Sequence, residues 1–283
     1  MAESPLNPSS RARQPVLVIG MHRSGTSMVA RLLEEFGVAM GGVGQPNWED
    51  PQVKRANQGL LARSGADWAR PRAFLEALAI VDGDNAEAGD EMLAVAQRCV
   101  EAIDPRRQCG PRGWKDPRNT LTLPVWLRLF PATRVVHVVR NGFDVALSLQ
   151  RRERRYWVRR RDERPTFLTL RGCFELWRLY LELGLGAESS SRRSLRVRYE
   201  DLARADDETV EKLAAFVGAE RRPVELPVRR PRRRSAWDRR RIARLARSAD
   251  DRILVELGYG LAAERPGSGD TTVHGASSYE ADV

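Results

Sequence analysis

PVLVIGMHRSGTS, residues 15–27, is the stretch from which the rest of the chain is interpreted. Its first half is a short apolar run rich in β-branched residues, which predicts a buried strand. Gly20–Ser27 has the Gly-x4-Gly frame of a P-loop, and apolar residues then recur at helical spacing up to Gly37. Strand, glycine-containing loop and helix in this order predict a phosphate site, because backbone N–H groups and the positive end of the helix attract anions.

The loop differs from that of nucleoside triphosphatases in the position of its cation. Those enzymes place a lysine directly after the second glycine, whereas this sequence has Thr26 there and carries its positive charge at Arg23. The apolar run TRVVHVV, residues 133–139, is followed by Arg140 rather than by a metal-binding aspartate. The pattern therefore predicts neither a bound metal ion nor the chemistry of a magnesium triphosphate.

Strand and helix patterns alternate along most of the chain. Further strands are predicted near Gly113, at 133–139 and at 194–200, with helical patterns between them and a mostly helical stretch at about 52–104. This alternation predicts the α/β class, in the form of a three-layer α/β/α P-loop fold. Its central sheet is expected to be mostly parallel, with an additional helical layer built from the 52–104 stretch.

Length and composition indicate how many domains the chain forms and in which compartment it is expected. Of the 283 residues, 15–260 are predicted to form one domain, between a disordered leader at 1–14 and a disordered tail at 261–283. No apolar run approaches the roughly 20 residues of a membrane span. The leader also lacks the apolar core of a secretory signal. We therefore expect a soluble, cytoplasmic protein with no membrane span.

The charge balance of the chain is basic. The net charge is +10, and arginine supplies nearly all of the positive charge, because only Lys54, Lys115 and Lys212 are lysines. Such a charge suits a nucleic-acid binder, a membrane-surface protein or an enzyme for polyanionic small molecules, and it does not choose among them. The three cysteines have neither zinc-ligand nor disulfide spacing, which argues against both kinds of site.

GMHRSGTS, in its strand-loop-helix setting, resembles the phosphate loop of the PAPS-dependent sulfotransferases, in particular the bacterial and tyrosylprotein-type enzymes. The resemblance covers about residues 15–218. It implies an enzyme that transfers a sulfuryl group from PAPS to an acceptor hydroxyl and releases PAP. It also implies that Arg23 neutralises the bridging and 5′-phosphate oxygens of this donor. The other loop residues implied in donor binding are Ser24, Gly25, Thr26 and Ser27.

A second signature of the same family is an arginine at the end of a strand, followed eight positions later by a serine on the next helix. TRVVHVVRNGFDVALSL supplies Arg140 and Ser148 at that spacing, which implies that they hold the 3′-phosphate of PAPS. An arginine fork suits a phosphate dianion because it pairs with two oxygens at once. Taken alone, Arg140 is better interpreted as a surface charge at a strand end and Ser148 as an ordinary helix residue, but two anion sites at one edge of a parallel sheet support each other.

The implied site has two catalytic candidates besides Arg23. Sulfuryl transfer needs a base for the proton of the acceptor and a cation for the charge that develops on the leaving phosphate. Glu49, in the segment NWEDP, resembles the glutamate of the bacterial and tyrosylprotein-type enzymes and is the predicted base, with His22 as the alternative. Lys115, in GWKDPR, resembles the Lys-Asp-Pro element of these families and is the predicted charge stabiliser.

Two other function classes match parts of the sequence. A P-loop kinase for small molecules shares the expected fold but needs the missing lysine and a metal-binding aspartate. A nucleic-acid-binding protein would use the arginine runs at 151–161 and 231–234. These runs contain few aromatic residues and match no nucleic-acid-binding motif, so no nucleic-acid partner is expected.

In the sulfotransferase interpretation, the same two arginine runs are candidates to cover the nucleotide, because the glycine-rich C-terminal segment of the cytosolic enzymes is not evident. The expected acceptor is a hydroxyl group of a small molecule, a glycan or a lipid. The variable helical stretch at about 52–110 and the arginine-rich segment 151–164 are expected to shape its pocket. No oligomeric state is predicted.

Overall fold

A four-stranded parallel sheet forms the centre of the chain. The computed structural model describes residues 15–81, 86–101, 111–160, 169–191, 193–219, 234–247 and 252–259. Within them the strands are β1 (Val16–Ile19), β2 (Gly113–Lys115), β3 (Arg134–Val139) and β4 (Ser194–Arg198). Their spatial order is β2-β1-β3-β4, and every neighbouring pair is parallel. The carboxyl ends of all four strands therefore lie at the same edge of the sheet.

Helices connect the strands and cover both faces of the sheet. After β1 come α1 (Thr26–Glu35), a 3₁₀ turn (Pro46–Trp48), α2 (Pro51–Ala62), α3 (Arg72–Val81) and α4 (Ala86–Glu101). Between β2 and β3 lies α5 (Asn119–Leu129), and between β3 and β4 lie α6 (Gly142–Arg160) and α7 (Leu170–Ser190). The helices after β4 are α8 (Tyr199–Ala203), α9 (Asp207–Val217), α10 (Ala236–Ala246) and α11 (Arg252–Glu256).

The alternation of side chains along β1 divides the core into two parts. Leu17 and Ile19 belong to a larger cluster that includes residues of α2 to α7 and of α10 and α11. Val16 and Val18 belong to a smaller cluster with α1, α8 and α9. Successive strand residues point to opposite faces, so both faces of the sheet are covered. The predicted three-layer α/β/α fold with a parallel sheet is confirmed.

The helix that begins at Gly142 continues through the arginine-rich segment to Arg160, because Arg and Glu are good helix formers. The predicted leader, 1–14, and tail, 261–283, lie outside the described residues. Within the described residues, no helix combines the length and apolar character that a membrane crossing requires.

Helix α7 packs against β3 through a glycine, and this contact leads to a stability prediction. A Cβ on Gly184 would lie 2.3 Å from Cε1 of the buried His137 ring, whose Nδ1 is 2.5 Å from Glu188 Oε1. We expect Gly184→Ala to lower the free energy of unfolding by about 1–3 kcal/mol, because the ring has to move within a packed core. Urea unfolding of the purified protein measures the change.

Gly186 on the same helix is the matched control for this prediction. It is exposed, and nothing lies within 4 Å of its Cβ position. Gly186→Ala should therefore raise the free energy of unfolding by about 0.5–1 kcal/mol through helix propensity alone. Equal stabilities of the two variants would contradict the close approach of α7 to β3.

Candidate active site

A cleft of about 410 Å³ lies at the carboxyl edge of the sheet. Each strand brings a residue to it: the phosphate loop follows β1, Lys115 ends β2, Arg140 follows β3 and Tyr199 follows β4. Parallel α/β sheets bind ligands at this edge. Five cationic side chains line the cleft, namely Arg23, Arg31, Lys115, Arg140 and Arg152. Glu49 carries the one carboxylate among its lining residues in the described part of the chain, so the cleft suits a polyanionic ligand.

The phosphate loop opens directly into α1. Gly20 and Gly25 have φ angles of 131° and 96°, which suit glycine. The Gly20 N–H donates to Thr120 Oγ1 at 2.9 Å, which ties the loop to the start of α5. Gly25 precedes the helix without any side-chain cap, and its Cα faces the ring of Tyr199 so closely that a Cβ would lie 2.2 Å from Cδ2. An uncapped helix N-terminus lined by small residues is an anion site.

Arg23 and Arg140 meet at the mouth of this loop. Arg23 Nε donates to Ser148 Oγ of α6 at 3.0 Å, and Arg140 Nη1 donates to the Arg23 carbonyl oxygen at 3.0 Å. The Arg140 guanidinium also lies 4.2 Å from the centre of the Tyr199 ring. Its buried Nε has no hydrogen-bond partner within the described residues. A buried donor without a partner is costly.

Glu49 and Lys115 form a buried pair on the other side of the cleft. Lys115 Nζ lies 3.3 Å from Glu49 Oε1, and Lys54 Nζ lies 3.7 Å from Glu49 Oε2. Burial lowers the pKa of Lys115 from its ordinary value, while the neighbouring carboxylates of Glu49 and Asp116 oppose this shift. Their attraction favours the charged ammonium, so a cation and a carboxylate face each other inside the cleft.

The start of α2 fixes the position of Glu49. Asp50 caps this helix by accepting from the N–H groups of Gln52 at 2.8 Å and Val53 at 3.3 Å, and Pro51 occupies the first helical position. Both features favour a helix that begins here. The Glu49 side chain is therefore held directly before a defined helix start.

His22 is buried beside Arg152. Burial, and next the charge of Arg152, hold the pKa of His22 well below its ordinary value, so the imidazole is neutral at pH 7. Arg152 Nη1 lies 3.5 Å from His22 Nδ1, so this ring nitrogen faces a cation.

A buried polar network joins α2, α5 and β1 behind the cleft. Asn57 Nδ2 donates to Asn119 Oδ1 at 2.8 Å, while Asn57 Oδ1 accepts from Thr122 Oγ1 at 2.8 Å and from Trp126 Nε1 at 3.1 Å. Asn119 Nδ2 in turn donates to the Val18 carbonyl at 3.3 Å. A fully bonded network of this kind holds its elements in one arrangement. It therefore supports the relative positions of Glu49, Lys115 and the phosphate loop.

Most residues predicted from the sequence lie together in this cleft. Those that line it are Arg23, Gly25, Thr26, Ser27, Glu49, Lys115 and Arg140, with His22 beside them. Two others do not line it: Ser24 is buried within the loop, and Ser148 contacts Arg23 from α6. No cluster of three or more His, Cys, Asp or Glu side chains that could hold a metal ion occurs among the described residues.

Several lining residues were not named individually from the sequence, among them Arg31, Arg152 and Tyr199. Arg152 belongs to the arginine run 151–161, which was expected to cover the nucleotide or to shape the acceptor pocket, and it lies one helical turn after Ser148 on α6. The Tyr199 ring lies against both Gly25 and Arg140. Arg31, on α1, had no distinguishing signal in the sequence because it is one of many arginines.

Comparison with known proteins gives one family match. A family model described as "Sulfotransferase family" matches residues 15–223. No curated protein sequence matches the chain. Among solved structures, the sulfotransferase domain from the curacin biosynthetic pathway has a TM-score of 0.49 at 17% identity, covering 74% of this chain and 75% of that one. A sulfotransferase from Alicyclobacillus acidocaldarius has a TM-score of 0.47 at 17% identity, covering 90% and 99%. One from Mycobacterium avium has a TM-score of 0.45 at 15% identity, covering 84% and 69%.

Proposed function

Because this chain belongs to the sulfotransferase family, we propose that it transfers a sulfuryl group from PAPS to an acceptor hydroxyl and releases PAP. The observation that carries the proposal is the pairing of Glu49 with Lys115, 3.3 Å apart, in a cleft that also holds an uncapped helix N-terminus. The helix end and its loop suit an anionic donor, and the pair supplies the base and the cation that the transfer needs.

The donor is bound by the two anion sites of the cleft. Arg23 and the loop residues Ser24, Gly25, Thr26 and Ser27 hold the 5′-phosphosulfate end. Arg140 and Ser148 hold the 3′-phosphate. The position of Arg140 in the cleft lining and the excess of cations over carboxylates there support this assignment. The arginine fork can pair with two phosphate oxygens.

The transfer is a displacement at sulfur. Glu49 takes the proton of the acceptor hydroxyl, and the hydroxyl oxygen forms a bond to the sulfur atom. The bond between sulfur and the bridging oxygen breaks, and its electron pair stays on the 5′-phosphate of PAP. Lys115 and Arg23 offset the negative charge on the sulfuryl group and on the leaving phosphate. The acceptor is a hydroxyl group of a small molecule, a glycan or a lipid.

We further propose that residues 15–260 act as one domain. Residues beyond the family match contact the rest of the chain: Arg151 Nη2 of α6 lies 2.5 Å from Asp238 Oδ2 of α10. The Tyr259 hydroxyl donates to Glu200 Oε2 of α8 at 2.8 Å. Arg234 Nε lies 2.8 Å from Asp144 Oδ1 of α6. These contacts support a C-terminal part that packs as a continuation of the domain.

Thermal unfolding in the presence of candidate ligands tests the function. A ligand that binds only the native state raises its melting temperature. We expect PAP to stabilise the protein, and ATP with Mg²⁺ or a DNA oligomer to stabilise it less. Stabilisation by ATP with Mg²⁺ but not by PAP would favour a kinase, and stabilisation by DNA alone would favour a nucleic-acid-binding protein.

Replacement of Arg140 tests the donor site. Arg140→Ala should weaken PAP binding roughly ten- to hundredfold, since hydrogen bonds from a charged group are lost. Titration calorimetry with PAP measures the effect. Arg204→Ala is the control, because this arginine is 69% exposed and pairs with Asp201 away from the cleft. Equal PAP affinities of the two variants would show that Arg140 does not bind the 3′-phosphate.

A further inference from the structure

The 3₁₀ turn at Pro46–Trp48 lies across the anion site. The carbonyl oxygen of Asn47 accepts from Lys115 Nζ at 2.6 Å and from Ser27 Oγ at 2.7 Å. Lys115 is the proposed stabiliser of the sulfuryl group, and Ser27 belongs to the proposed 5′-phosphate site. A backbone oxygen of this chain thus occupies hydrogen-bonding positions that PAPS itself needs.

The backbone of this turn is strained. Asn47 has φ 61° and ψ 14°, and Trp48 has φ 57°, so two consecutive residues with side chains lie in the left-handed region. This region is unfavourable for residues other than glycine, although asparagine tolerates it better than most. The contacts of the turn therefore hold its backbone in an unfavourable conformation. If those contacts are lost, the turn tends to leave this conformation.

The turn is also packed closely against Gly42. A Cβ at Gly42 would lie 2.4 Å from the carbonyl carbon of Trp48 and 2.5 Å from its oxygen. Gln45 N–H donates to the Gly42 oxygen at 3.0 Å, and Trp48 N–H donates to the Gln45 oxygen at 3.1 Å. The observed arrangement thus requires a residue without a side chain at position 42. Gly42 itself does not line the cleft.

We propose that residues 42–48 form a strap whose Asn47 carbonyl occupies the subsite of the transferred group in the free enzyme, and that PAPS binds by displacing it. The inference rests on the proposed function, because it takes the donor from there. A carbonyl oxygen carries partial negative charge, so it is a neutral substitute for a sulfuryl oxygen beside Lys115. The buried ammonium therefore has an oxygen partner both before and after the donor binds.

This arrangement makes the affinity for the donor depend on the strap. If only the open form binds PAPS, the apparent Kd equals the intrinsic Kd divided by the open fraction. A change that destabilises the closed strap without touching the donor should therefore tighten binding. A substitution at Asn47, where the backbone is strained, or at Gly42, where the turn is closely packed, makes such a change.

Two substitutions test the strap. Gly42→Ala removes the space that the closed turn needs, and Asn47→Ala puts a less tolerant residue at a left-handed position. For each, the Kd for PAPS measured by titration calorimetry should fall by about five- to thirtyfold, the range that corresponds to the cost of one left-handed residue. Gly59→Ala is the control with unchanged affinity, because it lies in α2 with nothing within 4 Å of its Cβ position.

Hydrogen exchange gives a second readout. Peptides that contain the amides of Gln45 and Trp48 should exchange faster in the free Gly42→Ala variant than in the free wild type. If the wild type binds PAPS and Gly42→Ala binds it with equal or lower affinity, the strap proposal is contradicted and the proposed function is not. Should Gly42→Ala not fold, Asn47→Ala is judged by the same two measurements. A wild type that binds neither PAPS nor PAP would contradict the proposed function as well.

Discussion

Glu49→Gln should lower kcat by about 10²- to 10⁴-fold, the usual contribution of a general base. The amide keeps the shape of the side chain and can still accept from Lys115, but it cannot take the proton of the acceptor. PAP affinity should stay close to that of the wild type, because Glu49 offers no donor to a phosphate. Transfer of label from radiolabelled PAPS, to an acceptor found in a screen of hydroxyl compounds, measures the rate.

Glu35→Gln is the matched control for this substitution. Glu35 is exposed on α1, where it pairs with Arg31 at 3.2 Å, and it does not line the cleft. Its replacement should leave kcat nearly unchanged. A Glu49→Gln variant that turns over at the wild-type rate would show that Glu49 is not the base and would favour His22, the alternative candidate.

Lys115→Met should lower kcat/KM by about 10²- to 10³-fold, as expected when a preorganised charge at a developing anion is lost. Methionine fills a similar volume but brings no charge to the sulfuryl group or to the leaving phosphate. The loss also leaves the buried Glu49 with the more distant Lys54 as its remaining ion-pair partner among the described residues. Steady-state kinetics with varied PAPS measure the catalytic effect.

Lys54→Met and a double variant separate the catalytic effect from the structural one. Lys54 is 44% exposed and lies 3.7 Å from Glu49, so its replacement should have little effect on kcat/KM. Lys115→Met should lower the free energy of unfolding by up to about 3 kcal/mol, since the buried carboxylate of Glu49 loses its buried ion-pair partner. Combining it with Glu49→Gln should recover part of that stability but none of the rate. Wild-type kcat/KM in Lys115→Met would contradict its catalytic role.

The strand-loop-helix at residues 15–36 could be predicted because it depends on neighbours in the sequence, whereas Arg140 and Ser148 were identified through the resemblance to the sulfotransferases. Strand alternation, helical spacing and glycine positions describe local backbone geometry. The parallel sheet followed from the same local signals, because alternating strands and helices have few alternative arrangements. The end of α6 was harder to predict, since a run of arginines is compatible with both a helix and a loop.

The sequence by itself determined the fold class and the strand-loop-helix at residues 15–36, because both are written in short-range patterns, and its resemblance to a family indicated the candidate site residues. Only the tertiary structure brought Glu49 within 3.3 Å of Lys115 across 66 positions, made His22 a neutral ring beside Arg152, and laid the Asn47 carbonyl across the anion site. The physical reason is that ion pairing, desolvation and close packing depend on distances between residues far apart in the chain. Those distances exist only once the sheet and its helices have packed.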